Sequence, residues 1–83
     1  MEKFKVATNS KPNKVAGAIA GALKTNSAVE LYAVGAGAVN QAIKAIAIAS
    51  SFSEENLVCI PGFCDLDFGG EARTGIKITI KAA

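Results

Sequence analysis

The sequence lacks histidine and tryptophan and has only two cysteines. Without histidine, none of the Ser–His–Asp or Cys–His arrangements that activate a nucleophile can form. Two thiols fall short of the four ligands that a structural zinc takes from one chain, and they cannot supply the disulfide framework of a small secreted protein. We therefore expect a protein that is not an enzyme and that holds no metal and no cofactor.

Long hydrophobic runs are also missing. The densest apolar stretch, residues 28–49, is interrupted by four polar or charged side chains, whereas a membrane-spanning helix needs about 20 predominantly apolar residues. The first five residues, MEKFK, lack the apolar segment of a signal peptide. These features predict a cytoplasmic protein without a membrane partner, in which Cys59 and Cys64 are reduced and buried.

What the sequence does contain is enough apolar material for one core. It has 83 residues, 51% of them hydrophobic, which suits a single domain covering residues 1–83. The net charge of +2 is unevenly spread: residues 1–53 hold six lysines and two glutamates, and residues 54–83 hold three basic and five acidic side chains. A basic front half permits a polyanionic partner without requiring one.

Hydrophobic periodicity predicts four strands and two helices. Alternation of apolar and polar residues indicates strands, Pro12 suits the first turn of a helix, and Gly69-Gly70 suits a tight hairpin. In chain order the elements are a strand at 3–7, a helix from Pro12 to about Thr25, a strand at 29–34, a helix at 36–52, a strand at 57–68 bent at Pro61-Gly62, and a strand at 74–81.

This order predicts a two-layer α/β sandwich: a mixed four-stranded sheet with both helices on one face. Proline inside the third strand favours an edge position or a bulge there. On the first helix Val15, Ala16, Ile19 and Leu23 are expected to face the core.

The second helix has an apolar pair in its polar stripe. At about 100° per residue the predicted core arc contains Val39, Ala42, Ile43, Ile46 and Ala49. Ile48 and Phe52 then fall beside Lys44, away from that arc. We expect them to form the interface of a homodimer or larger homo-oligomer, with Ala45 letting the helices approach. The alternative is that the loop after Phe52 covers them.

Two glycine patterns are candidates for function. Gly17 and Gly21 share one helical face, where a partner helix or a nucleic-acid backbone could approach closely. The segment 35–37, Gly-Ala-Gly, joins a strand to a helix, but the third glycine of a dinucleotide fingerprint is replaced by Asn40. A nucleotide site, a tight structural turn and a contact with another polyanion stay open for this segment.

Four stretches occur together in a characteristic order: FKV at 4–6, KPNKVAGA at 11–18, AVGAGAVNQA at 33–42 and IPGF at 60–63. With the GEART turn at 70–74, they make the chain resemble the stage V sporulation protein S (SpoVS) family of bacteria over essentially its whole length. The segment 50–56 is shorter than the corresponding family loop, and Gly62 and Gly75 stand where the family usually has alanine.

The resemblance implies an Alba-like fold, shared with archaeal chromatin proteins that bind DNA and RNA as dimers. It also implies a regulator of sporulation and septation. Lys11-Pro12 matches the lysine–proline junction with which Alba proteins touch nucleic acid. The basic residues that begin Alba's second helix are replaced by Gly37 and Gln41, and the long basic hairpin is reduced to Gly69-Gly70, which implies weak to moderate affinity.

The leading hypothesis is therefore a non-catalytic regulator that binds DNA or RNA. Its expected nucleic-acid-binding residues are Lys11, Lys14, Asn40, Gln41, Lys44 and Arg73. One alternative is a protein-interaction module, which the scarcity of arginine favours because arginine makes the bidentate phosphate contacts. Another is a regulator that holds a small anion at the turn from Gly35 to Asn40.

Overall fold

A computed structural model describes the backbone of residues 1–83 and every side chain except that of residue 68. Its elements are β1 (Glu2–Val6), α1 (Pro12–Ala22), β2 (Ala28–Ala33), α2 (Ala36–Phe52), β3 (Leu57–Phe68) and β4 (Glu71–Ala82). The sheet order is β1-β2-β4-β3, with β1 and β2 parallel and the other neighbours antiparallel. The predicted element order and fold class are confirmed.

The core lies between the helices and one face of the sheet. Ile78 and Ile80 of β4 stand opposite Leu31 and Val29 of β2, and all four side chains are buried against the helices. Because side chains alternate along a strand, Lys77, Thr79 and Lys81 point to the opposite face. The alternation seen in the sequence is therefore the division between the core and the uncovered face of the sheet.

Strand β3 continues through Pro61. Its one-to-one pairing with β4 is unbroken from Leu57 to Phe68, so of the two positions expected for this proline the bulge is absent. The predicted edge position is confirmed. Proline is tolerated there because an edge strand leaves part of its N–H groups without a neighbouring strand.

The end of the β3–β4 hairpin forms a two-stranded arm, which we define as residues 64–75. It lies beyond the last pair of β2 and β4, Ala33 with Ile76, and the molecule measures 40 × 22 × 17 Å. Gly69 and Gly70 have φ values of 63° and 85°, and the Gly70 N–H donates to Asp67 Oδ1 at 2.9 Å. The predicted turn is confirmed, but the expected reduction of the hairpin to this turn is wrong.

Helix α1 ends earlier than predicted, at Ala22. The Ala22 carbonyl oxygen accepts the Asn26 backbone N–H at 3.0 Å and the Asn26 side-chain amide at 2.9 Å, which closes the end of the helix. Ala16, Ile19 and Ala22 are its buried residues, and Val15 and Leu23 pack at the margin of the core.

The buried arc of α2 is rotated from the predicted one by roughly 50° at 100° per residue. Its buried residues are Ala38, Ala42, Ala45, Ile46 and Ala49. Ala45 has no exposed surface, so its assignment to an oligomer interface is wrong, and Ile43, assigned to the core, is 46% exposed. The reason is that α2 packs closely on α1 as well as on the sheet, and small side chains permit this approach.

The other two predicted interface residues do not share an exposed patch. Ile48 is half-buried and packs against the core, whereas Phe52 is 67% exposed at the end of α2. Phe52 borders a cavity of about 210 Å³ whose other walls include Leu23 of α1 and Leu57 of β3.

Both cysteines are free thiols, and the prediction that both are buried is wrong. Cys59 is exposed and Cys64 is half-buried. Strand β3 is the edge strand, and Cys59 lies opposite Ile80, at a position that the two helices leave uncovered.

Gly17 and Gly21 offer a test of the α1 surface. A methyl group added at either position meets nothing within 4 Å, so alanine should gain its helix propensity without a clash. We expect the double variant Gly17→Ala, Gly21→Ala to be about 1.5–2 kcal/mol more stable, measured by urea unfolding.

Gly75→Ala serves as the contrasting variant. A Cβ there would lie 2.9 Å from the Ala33 carbonyl oxygen, so this change should destabilise the sheet. If the α1 double variant were less stable than the wild type, the space around Gly17 and Gly21 would not be open as described.

Candidate nucleic-acid interface

Both helices begin at the same end of the molecule. Strands β1 and β2 are parallel, and each is followed by a helix that runs back across the sheet, so the starts of α1 and α2 lie together. We call this the helix-start end; it comprises residues 7–14 and 34–41. The partial positive charge of two helix N-termini favours anions there.

Lys11 and Lys14 are exposed within the first turn of α1. Lys11 is the N-cap residue and makes no side-chain capping bond, while its carbonyl oxygen accepts the Lys14 and Val15 N–H groups at 3.0 and 3.1 Å. Pro12 begins the helix directly after Lys11, which fixes the backbone there. The two ammonium groups therefore project from one rigid turn, as the sequence predicted.

Gln41 has a structural contact at this end. Its Nε2 donates to the Ser10 carbonyl oxygen at 2.8 Å and joins the loop before α1 to helix α2. A half-buried amide engaged in this way positions the loop that carries Lys11. Gln41 therefore acts on the candidate site through that loop.

The Gly-Ala-Gly segment is explained by packing. Gly35 has φ 91°, a conformation that favours glycine, and a Cβ at Gly37 would lie 2.8 Å from the Cγ2 of Thr8. Gly37 thus lets the loop before α1 lie against the start of α2. Of the interpretations left open for this segment, the tight structural turn accounts for both glycines.

The remaining predicted residues are more dispersed. Asn40 is exposed at the helix-start end, and Lys44 is exposed about 12 Å along the α2 axis from Ala36. Arg73 lies on the arm, which also carries Asp65, Asp67 and Glu71. Three carboxylates against one guanidinium give the arm an acidic character, so it opposes a polyanion.

An apolar groove separates α2 from the hairpin. It has a volume of about 570 Å³ and is lined by Gly35, Ala36, Val39, Asn40, Ile43, Phe63, Thr74, Gly75 and Ile76. None of these described lining residues is basic, so the groove does not favour a small anion. Phe63 is 82% exposed at its rim.

Sequence reasoning missed Phe63 and Ile43 as surface residues. The alternation of apolar and polar residues predicts Phe63 as part of an ordinary strand, although the proline two residues before it indicates an edge. The edge position could have indicated that Phe63 is exposed, because β3 has a neighbouring strand on one side only.

The face of the sheet opposite the helices, here called the open face, contains a second group of basic residues. Tyr32 lies on it between two lysines, and its hydroxyl donates to Glu30 Oε1 at 2.8 Å. The hydrogen bond to Glu30, partial burial of the phenol and the charges of Glu30 and Cys64 raise the pKa of Tyr32 above its ordinary value of 10.0.

Comparison with known families agrees with these features. A family model described as stage V sporulation protein S (SpoVS) matches residues 2–83. The chain belongs to the SpoVS family. Membership confirms the resemblance inferred from the motifs, and it supports a role related to sporulation for this SpoVS protein.

The described residues of this SpoVS protein contain no group of three or more cysteine or acidic side chains placed to hold a metal ion. No helix in the same part of the chain has the length and hydropathy needed to cross a bilayer.

The single tyrosine allows a direct test of the Tyr32–Glu30 contact. Since the folded state favours the neutral phenol, its contribution to stability is present below pH 10 and is lost as the pH rises through the folded-state pKa. Spectrophotometric titration should show the tyrosinate forming above pH 10, and Glu30→Ala should move the midpoint back toward 10.

Glu2→Ala removes a carboxylate from the other face of the sheet and is the matched control; it should leave the midpoint unchanged. A wild-type midpoint at or below pH 10 would contradict the contact.

Proposed function

We propose that this SpoVS protein is a non-catalytic regulator that binds nucleic acid and acts in sporulation and septation. The observation that carries the proposal is the pair of exposed lysines in the first turn of α1, at the end where both helices begin. Lysines and helix N-termini are both sources of phosphate contacts. Asn40 lies close enough to the start of α2 to add a hydrogen bond.

The expected binding is modest and sensitive to salt. Three to five phosphate contacts per protomer correspond to a slope of log affinity against log salt of roughly −3 to −4.5 on duplex DNA. The acidic arm opposes further contacts, which is consistent with a regulator of weak to moderate affinity. Gln41 supports the site by holding the loop, so its loss should weaken binding through the position of Lys11.

The lysine pair can be tested by charge removal at matched positions. Lys11→Gln and Lys24→Gln each remove one charge from an exposed site on or next to α1, but Lys24 follows the opposite end of the helix. Fluorescence anisotropy with labelled duplex DNA at several salt concentrations should show weaker binding and a slope shallower by about 0.9 for Lys11→Gln only. If both variants weakened DNA binding equally, or if the wild type bound no DNA at low salt, the proposed site at Lys11 would be wrong.

A protein-interaction role is the second candidate, and the groove favours it. Exposed apolar surface of this kind marks interaction sites. We propose that a second copy of the chain occupies it, because a two-fold arrangement lets Phe63 of each copy cover the Ile43 side of the other. The resulting homodimer would carry two pairs of Lys11 and Lys14, and Asn40, which lines the groove, would then lie at the edge of the interface.

Sedimentation should separate this interface from the one first expected on α2. Ile43→Asp with Phe63→Ser should yield monomers at concentrations where the wild type associates, because it places charge and polarity in the groove. Phe52→Ser, an exposed aromatic at the far end of α2, is the control and should associate like the wild type. Dissociation by the control alone would locate the interface at Phe52, and a monomeric wild type would contradict self-association.

A further inference from the structure

The open face arranges lysines around an aromatic ring. Lys5, Tyr32 and Lys77 stand side by side on β1, β2 and β4. Neighbouring strands are about 4.8 Å apart, so the two lysine backbones lie about 10 Å apart with Tyr32 between them. On the same face, Lys3 lies in the adjoining row and Lys81 lies one row further away.

Positive charge dominates this face. Of the described side chains that β1, β2 and β4 place there within the paired region, four are lysines and one, Glu30, is acidic. The Glu30 carboxylate accepts the Tyr32 hydroxyl at 2.8 Å, so its nearest hydrogen-bond partner is the phenol.

Apolar surface adjoins the lysines. Val58 and Ile60 of β3 are 40% and 52% exposed, opposite Lys81 and Thr79. Beside Tyr32 is a cavity of about 170 Å³, lined by Lys5, Val6, Ala7, Tyr32, Val34 and Leu66. It is smaller than the roughly 300–1,000 Å³ of pockets that enclose whole ligands, and it suits part of one planar ring.

We propose that the open face binds single-stranded nucleic acid, with lysines at the phosphates and Tyr32, Val58 and Ile60 against unstacked bases. The inference rests on the proposed nucleic-acid function and adds a second surface, specific for single strands. In a duplex the base faces are stacked, and mainly phosphates are presented outward. The half-buried ring of Tyr32 and the exposed side chains of Val58 and Ile60 therefore gain most when bases are free to lie on them.

This surface meets the helix-start end only at Ala7 and Val34, which line the small cavity, and its lysines lie apart from Lys11 and Lys14. The helix-start end lies at one end of the sheet, and the groove lies on the helix side, beside Ile76. A dimer formed through the groove would leave the open face uncovered. Duplex contact at Lys11 and single-strand contact on the open face can therefore be removed independently.

The test compares two double variants that each remove two charges. Lys3→Gln with Lys81→Gln changes the open face, and Lys11→Gln with Lys14→Gln changes the helix-start end; all four lysines are exposed. Their affinities are measured by anisotropy for a short oligothymidylate and for a duplex of the same length. The open-face variant should lose affinity mainly for the single strand, with a salt slope shallower by about 1.4.

A second pair of variants tests the base contact. Tyr32→Phe keeps the ring but loses the hydroxyl and its hydrogen bond to Glu30, so it should retain more single-strand affinity than a variant without the ring. Tyr32→Leu removes the ring and should weaken single-strand binding by about 5- to 150-fold, the usual range for one stacked base. Thermal unfolding of each variant checks that it is folded. NMR provides a measurement that requires no substitution: adding the oligothymidylate to the wild type should shift the signals of β1, β2 and β4.

The outcomes distinguish this inference from the function on which it rests. Loss of all binding in the helix-start variant, with the open-face variant unaffected, overturns the inference and leaves the proposed function standing. Equal losses on single strand and duplex in the open-face variant also overturn it, as does binding to anionic vesicles without binding to the oligonucleotide. Failure of the wild type to bind either nucleic acid at low salt overturns both.

Discussion

The close packing of α1 against α2 through small side chains determines which surfaces of this molecule are available. Buried between the helices and the sheet are Ala16 and Ala22 of α1 and Ala38, Ala42, Ala45 and Ala49 of α2. Because α2 turns its alanine stripe to that contact, its larger residues Val39 and Ile43 are carried to the opposite flank. They form one wall of the groove, and the hairpin with Phe63 forms the other.

The same helix contact fixes the loop that carries the first lysine. Gln41 lies on the flank of α2 that faces α1, where it reaches the Ser10 carbonyl oxygen. Gly37, one turn earlier, leaves room for Thr8. A hydrogen bond and a close packing contact thus connect the two helix starts, and the position of Lys11 depends on both.

Most of the fold could be predicted because strand alternation and helix periodicity are strong in this sequence. The rotation of α2 could not be, since a hydrophobicity pattern ranks isoleucine above alanine, whereas helix–helix approach selects alanine. Arm length was underestimated because a diglycine turn reveals where a hairpin reverses but not how far its strands extend beyond the sheet. In the candidate site, the sequence correctly predicted that Pro12 begins α1 and that Lys11 directly precedes it. The Gln41–Ser10 bond joins residues 31 positions apart, so nothing local in the sequence indicated it.

Charge in this chain is separated in space as well as in sequence. Lys11 and Lys14 serve the helix-start end, Lys77 and Lys81 belong to the open face, and the arm beyond β2 carries three carboxylates and one arginine. If the proposals hold, a polyanion is attracted at two surfaces and opposed at the hairpin tip. The arm projects from the same end as the helix starts, and Tyr32 and Lys77 lie only one row from it, since the last pair of β2 and β4 is Ala33 with Ile76. The acidic arm therefore opposes contacts at the helix starts and beside Tyr32 more than contacts near Lys81, at the opposite end of β4.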